Sequence, residues 1–126
     1  MGDWRPSFVG QPDPGTPDNV FMELLFAAMC RNIRALPGET FVDVAGRWIA
    51  ALRYAASLQP RDQPEWLRAA DVTMAESFVV YSLVMRDRRG ISAKQRQKHE
   101  NDLALHTRAM RDARSRYDRL RESRTA

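Results

Sequence analysis

A long basic helix over the last 35 residues is the feature that most limits what this chain can fold into. Residues 92–122 contain no Gly or Pro, and weakly polar or apolar residues recur there at spacings of four and three. This seam comprises His99, Leu103, His106, Met110, Ala113, Tyr117 and Leu120. Such spacing lets one helix pack lengthwise on another, so the pattern predicts a helical partner in this chain or in a second molecule.

Three more helices are predicted upstream from apolar residues that recur with a period near 3.6. Thr16-Pro17 starts the first, Asp62 the third, and Ser92 followed by Gln95 the fourth, because these residues satisfy free amides at helix N-termini. Gly90 is a natural stop between the last two. The expected helices cover about 17–36, 39–59, 63–88 and 92–122.

These elements predict an all-α fold, an antiparallel four-helix bundle with a long basic C-terminal helix. Residues 1–16 form an extended Pro/Gly-rich arm in this scheme, and 17–126 form a single helical domain. The segment 78–85 is apolar on all sides, which indicates a buried middle helix or a subunit interface. At about 1.5 Å per residue the last helix is about 46 Å long, so its final turns are expected to project beyond the bundle.

Charge divides the chain into two parts. From Arg86 onward there are 13 basic and 6 acidic residues, whereas residues 1–85 contain 7 and 10. A basic end suits an acidic protein surface or a phosphate backbone, although it can also pack on the acidic half of its own molecule. The arginines predicted to bind a partner or phosphate are Arg86, Arg88, Arg89, Arg111, Arg114, Arg116, Arg119 and Arg121.

The two histidines of the chain lie on the last helix, with an aspartate between them. His99, Asp102 and His106 share one face, so a metal site is sterically conceivable. Helical metal sites use histidines three or four residues apart, however, and these two are seven apart. A polar pair inside a helix–helix interface is the preferred interpretation, and no metal is expected.

Enzymatic motifs are missing from the sequence. Cys30 lies within a helix rather than at a helix N-terminus that would stabilise a thiolate, so it is expected to be buried and inert. There is no nucleophile elbow, Gly-rich phosphate loop or paired Glu-x-x-His motif. We therefore expect no catalytic residues, no cofactor and no small-molecule substrate.

The sequence predicts a non-enzymatic protein–protein interaction or assembly module. Its long basic helix would bind an acidic partner or support a homo-oligomer. A nucleic-acid-binding accessory protein of phage or plasmid type is the alternative, and a metal-dependent enzyme is the third class. No apolar run approaches the roughly 20 residues of a membrane span, and the basic helix lacks Trp and Phe anchors, so membrane binding is not expected. A single cysteine and arginine-rich composition favour a bacterial cytoplasmic protein.

Overall fold

The computed structural model describes residues 18–125 as four α-helices joined by short connections. The helices are α1 Asn19–Asn32, α2 Phe41–Ser57, α3 Gln63–Arg86 and α4 Ala93–Thr125. No strand occurs within 18–125, which confirms the predictions of an all-α chain and of four helices. The predicted arm at 1–16 lies outside the described residues.

Short polar side chains start the helices by accepting hydrogen bonds from amides that have no partner inside the helix. The Asp62 carboxylate accepts from the backbone amide three residues further on, at 3.0 Å. Ser92 and Gln95 form the reciprocal capping pair that the sequence predicts for α4. Thr40 and Asp43 form a similar box at the start of α2, which has no counterpart among the predicted caps.

The first helix is shorter than the predicted range 17–36. Asp18 caps α1 by accepting from the Phe21 amide at 2.7 Å, and the helix already ends at Asn32. Ile33 then adopts an extended backbone, with φ −88° and ψ 108°. Pro37 disfavours helical geometry at Leu36, the last residue of the predicted range, but the helix ends four residues before Leu36.

Helix α3 is the central element because each of the other three helices packs against it. Its buried side chains are mostly small, including Ala69, Ala70 and Ala75, and they allow close approach of its neighbours. The backbone of α4 approaches only that of α3 within the described part of the chain. Side chains rather than close backbone contacts therefore connect α4 to α1 and α2, as at Tyr117, which shares a core with Met29 and Ala55.

The seam of α4 lies on its least exposed side. All seven seam residues are buried or half-buried, and Ala113 and Tyr117 are the most buried, at 5% and 2% exposed. Most other side chains of α4 are exposed to solvent. The heptad-like spacing thus marks the face that packs on α3.

The end of α4 does not project freely, in contrast to the sequence-based expectation. The Arg96 guanidinium donates to the carbonyl of Arg86 at the end of α3, and Arg124 contacts Asp62 and Glu65 at its beginning. The two helices therefore form a hairpin whose last turns remain in contact. The expectation failed because α3 itself is about 36 Å long and the loop before it extends the packing surface.

Several large apolar side chains stay exposed on this framework. Val80 and Val84 in the apolar segment of α3 are 41% and 39% exposed, so three neighbouring helices do not cover all its sides. Phe41 and Val42 at the start of α2 are more than 70% exposed. Within 18–125, none of the helices combines the length and apolar character needed to cross a membrane.

Candidate functional site

A wide apolar groove lies where α2 and α4 flank α3 and their backbones do not approach each other. Its volume is about 830 Å³, and its walls include Val72 and Val79 of α3 and Met110 of α4. A smaller cleft of about 280 Å³ between α2 and α3 adjoins it and shares Tyr54 and Val80. Together the two extend along residues 72–80 of α3, about 12 Å along the helix axis, which is room for about two turns of a bound helix or a short extended peptide.

Charged side chains occupy the edges of this groove. Tyr54, Glu76 and Arg114 form a cluster in which burial and the Glu76 carboxylate raise the pKa of the Tyr54 phenol, while Arg114 acts in the opposite direction. Arg111 is exposed at the rim contributed by α4, and it forms no ion pair with any residue in the range 18–125. The inside of the groove is thus apolar. The negative charge of Glu76 offsets the positive charge of the nearby Arg114, and the edge formed by α4 is positive at Arg111.

The predicted partner-binding arginines fall into separate groups in the structure. Arg86 is engaged by Asp87 at 2.9 Å, and this contact holds the pKa of the Asp87 carboxyl below its usual value. Arg114 pairs with Asp118 at 3.4 Å, as expected from their spacing on one helix. The exposed members without an ion pair to the described residues are Arg88, Arg89, Arg111, Arg116 and Arg119.

Arg121 is a structural residue rather than a free cation. Its Nε lies 3.7 Å from the Glu65 carboxylate, and its NH1 donates to the Leu58 carbonyl at 2.8 Å. The Tyr117 hydroxyl donates to the same carbonyl at 2.5 Å, and burial raises the pKa of that phenol. These contacts attach the end of α4 to the connection between α2 and α3.

Glu65 is completely buried and collects three arginines around its carboxylate. Arg61 binds it through Nε and NH2 at 3.0–3.2 Å, Arg124 donates at 3.0 Å, and Arg121 completes the group. Burial by itself raises the pKa of Glu65, but the hydrogen bonds from Arg61 and Arg124 lower it further than burial raises it. The carboxylate is therefore held in its charged form, and it couples the start of α3 to the end of α4.

Histidines His99 and His106 do not form a metal centre with Asp102. Within the described residues, no three His, Cys, Asp or Glu side chains are grouped closely enough to hold a metal ion. The three side chains instead line a polar pocket between α3 and α4. The spacing of the two histidines was the sequence signal that argued against a metal.

Cys30 is half-buried in α1, and burial raises the pKa of its thiol. A raised pKa leaves less thiolate at neutral pH, and the thiolate is the nucleophilic form. This environment suits a packing residue rather than a reactive cysteine.

Comparisons with known proteins give no match for this chain among protein-family models, curated proteins or solved structures. Its function is therefore inferred from the chemistry of its own surfaces.

Proposed function

We propose that this protein is a non-enzymatic interaction module of the antiparallel-bundle type whose groove between α2, α3 and α4 binds an amphipathic, acidic helix of a partner protein. The single observation that carries the proposal is the apolar channel of about 830 Å³ with the exposed Arg111 at its α4 edge. A helix inserts apolar residues spaced by three and four positions into such a channel. Its flanking Asp or Glu residues would then meet Arg111 and Arg114.

The composition of the groove favours a protein over a nucleic acid at this site. Val79, Val80 and Met110 present aliphatic surface that has no counterpart in a phosphate backbone. Burial of aliphatic surface supplies affinity, whereas charges at the rim select the partner and speed association. An acidic partner is consistent with the excess of basic residues after Arg86.

Arg111→Glu is expected to weaken binding of an acidic amphipathic peptide about tenfold, because it turns one attraction at the rim into a repulsion. The probe is a fluorescent helical peptide of about 18 residues with Leu along one face and Glu on both flanks. Its affinity is measured by fluorescence anisotropy. A second peptide carries Lys in place of every Glu. The wild-type protein should bind this Lys peptide more weakly than the Glu peptide, whereas the R111E variant should bind it more strongly than the wild-type protein does.

The matched control for this prediction is Arg108→Glu. Arg108 carries the same charge one turn away on α4, is exposed, and does not line the groove. Its replacement should change peptide affinity by less than about threefold. Equal effects of R108E and R111E, or tighter binding of the Lys peptide by the wild-type protein, would contradict the acidic-partner proposal.

Nucleic-acid binding is the second candidate, and a different surface supports it. Lys94, Lys98, Arg108, Arg116 and Arg119 are exposed on one side of α4, within about 80° of its circumference. None of them has an ion pair with another described residue. Asp112 is the acidic side chain on this basic stripe.

Charge reversal at Arg108, Arg116 and Arg119 together tests this candidate. If the basic stripe binds phosphates, wild-type affinity for a duplex of about 20 base pairs should fall steeply between about 50 and 200 mM salt, and the triple variant should show a shallower slope. The R111E variant should retain most of its DNA affinity. A salt slope that is the same for the wild-type protein and the triple variant would exclude this stripe as a phosphate-binding surface.

A further inference from the structure

A polar pocket of about 390 Å³ lies on the α1 side of the α3–α4 pair, whereas the proposed peptide groove lies on its α2 side. Basic side chains dominate the lining of this pocket. Lys98, His99 and His106 come from α4, and Arg34 comes from the segment after α1. Asp102 is the acidic residue that lines it.

Arg34 makes contacts through both its backbone carbonyl and its side chain. Its carbonyl accepts a hydrogen bond from the Arg47 guanidinium of α2 at 2.7 Å. Its own guanidinium lies over the ring of Tyr81, 5.6 Å from the centroid, in a cation–π contact. Arg34 remains exposed, and these contacts with α2 and α3 place its guanidinium at the edge of the pocket.

The remaining walls of the pocket are aromatic, with a hydroxyl at the base. Phe78 packs against the His106 imidazole with ring centroids 5.3 Å apart, which orients that imidazole beside the cavity. Ser82 also lines the pocket and is only 2% exposed as a residue, and its hydroxyl is a further possible donor or acceptor there.

Fixed charges make the lining of the pocket positive. Arg34 and Lys98 are cationic and Asp102 is anionic, so these three side chains leave one net positive charge. His99 and His106 add ring N–H donors, and Tyr81 and Ser82 add hydroxyl groups from α3.

We propose that this pocket binds a small dianionic oxyanion, either free or as the terminal phosphate of a phosphorylated small molecule. Arginine and lysine provide fixed charge and N–H donors, and Ser82 provides a hydroxyl donor. A metal cation is disfavoured by the same fixed charges. This proposal is independent of the peptide groove, which shares no lining residue with the pocket.

Sulfate is the appropriate first probe, since it is a dianion whose oxygens accept hydrogen bonds from arginine and lysine. Calorimetric titration of the full chain with sodium sulfate at neutral pH and constant ionic strength should show saturable binding at a single site. Heats that do not saturate would contradict a defined sulfate site on this chain.

Lys98→Gln tests whether the anion occupies this pocket. It should lower sulfate affinity roughly fivefold at neutral pH, since it removes a cation from the lining. Lys94→Gln is the matched control, because Lys94 lies one turn earlier on α4, is exposed, and does not line the pocket. Both lysines are on the surface, so both variants should keep the wild-type melting temperature. Equal losses in K94Q and K98Q, or Zn²⁺ binding that is lost in H99Q/H106Q, would overturn the proposal.

Two further ligands separate the sources of the anion. Inorganic phosphate tests a free oxyanion, and phenyl phosphate tests the terminal group of a larger molecule whose ring can contact Phe78 and Tyr81. If the natural ligand is a phosphorylated molecule, phenyl phosphate should bind at least threefold more tightly than inorganic phosphate. A gain of this size is expected from one additional aromatic contact. Equal affinities assign the pocket to a free anion. Failure of all three anions to bind would end the proposal and leave the peptide groove unaffected.

Discussion

Replacement of Glu65 with glutamine is expected to lower the free energy of unfolding by about 3 kcal/mol, a large loss for the removal of a single charge. The carboxylate is completely buried, and three arginines surround it. Glutamine has a similar shape but cannot neutralise them, so three cations are left close together. This loss of stability should lie near the lower end of the range expected when one partner of a buried ion pair is removed. The reason is that the arginine side chains are 31–47% exposed and remain partly hydrated.

Urea denaturation monitored by circular dichroism measures this effect. Asp71→Asn is the matched control, since Asp71 lies on the same helix and pairs with Arg68 at 3.5 Å, but its side chain is 57% exposed. The control should change the free energy of unfolding by less than about 0.5 kcal/mol. If E65Q and D71N have similar stabilities, then Glu65 does not hold the two helices together.

The stabilising effect of Glu65 should depend on pH with a defined sign. Its pKa is lowered in the folded protein, despite burial, by hydrogen bonds from Arg61 and Arg124. The ionised carboxylate therefore contributes fully above its unfolded pKa of about 4.3, and its contribution is lost as the pH falls through the lower folded value. The difference in stability between the wild-type protein and E65Q should accordingly be constant near neutrality and shrink below about pH 4.

Tyr117→Ala is the second substitution expected to have a large effect, with a loss of about 4 kcal/mol. Tyr117 is 2% exposed and packs in the core that also contains Met29 and Ala55. Removing the ring leaves a cavity at the point where α4 meets the connection between α2 and α3. The surrounding helices can close such a cavity only in part, because their backbones are fixed by their own hydrogen bonds.

Tyr117→Phe separates packing from hydrogen bonding at this position. The Leu58 carbonyl accepts from both the Tyr117 hydroxyl and Arg121, so it keeps one donor in the phenylalanine variant. The loss should be about 1 kcal/mol. Leu105→Ala, at a position on α4 that is 61% exposed, serves as the control for truncation and should have little effect. A Y117F variant as unstable as Y117A would show that the hydroxyl, and not the ring, dominates.

The repetitive parts of this fold were predictable from the sequence. The spacing of residues such as Leu103, Met110 and Tyr117 reports directly which side of α4 is covered, because helical periodicity is a local property. Helix starts at Asp62 and Ser92 were predictable for the same reason, since a cap involves amides only two or three residues away.

The roles of individual charges were not predictable in this way. Arg119 and Arg121 are two positions apart on a basic helix, yet Arg119 is exposed and Arg121 binds Glu65 and Leu58. The acidic half of the chain was one possible packing surface for the basic helix. Glu65 of that half does contact Arg121 and Arg124 of α4, whereas Asp71 pairs with Arg68 on its own helix. Which charges meet depends on the rotation of each helix about its axis, and packing of distant residues sets that rotation.

The groove and the polar pocket could not be predicted from the sequence either. Both exist because α1 and α2 contact α3 while the backbone of α4 contacts neither. Apolar residues such as Val79 and Met110 have the spacing of core residues, and the sequence contains no signal that some of their surface remains uncovered. His99 and His106 are seven residues apart and so do not match helical metal motifs, and the contribution of Arg34 to the pocket that they line depends on tertiary structure.

The most direct test of the proposed interaction is the location of peptide binding on the uniformly ¹⁵N-labelled protein. Two-dimensional NMR spectra recorded with increasing amounts of the Glu-flanked peptide should show shifts concentrated at Val79, Val80, Met110 and Arg111, the residues of the groove. Amides of Lys94, Arg108 and Arg119, on the basic stripe, should change little. Shifts confined to the basic stripe, or spectra unchanged by saturating peptide, would contradict the proposal that the groove binds an acidic helix.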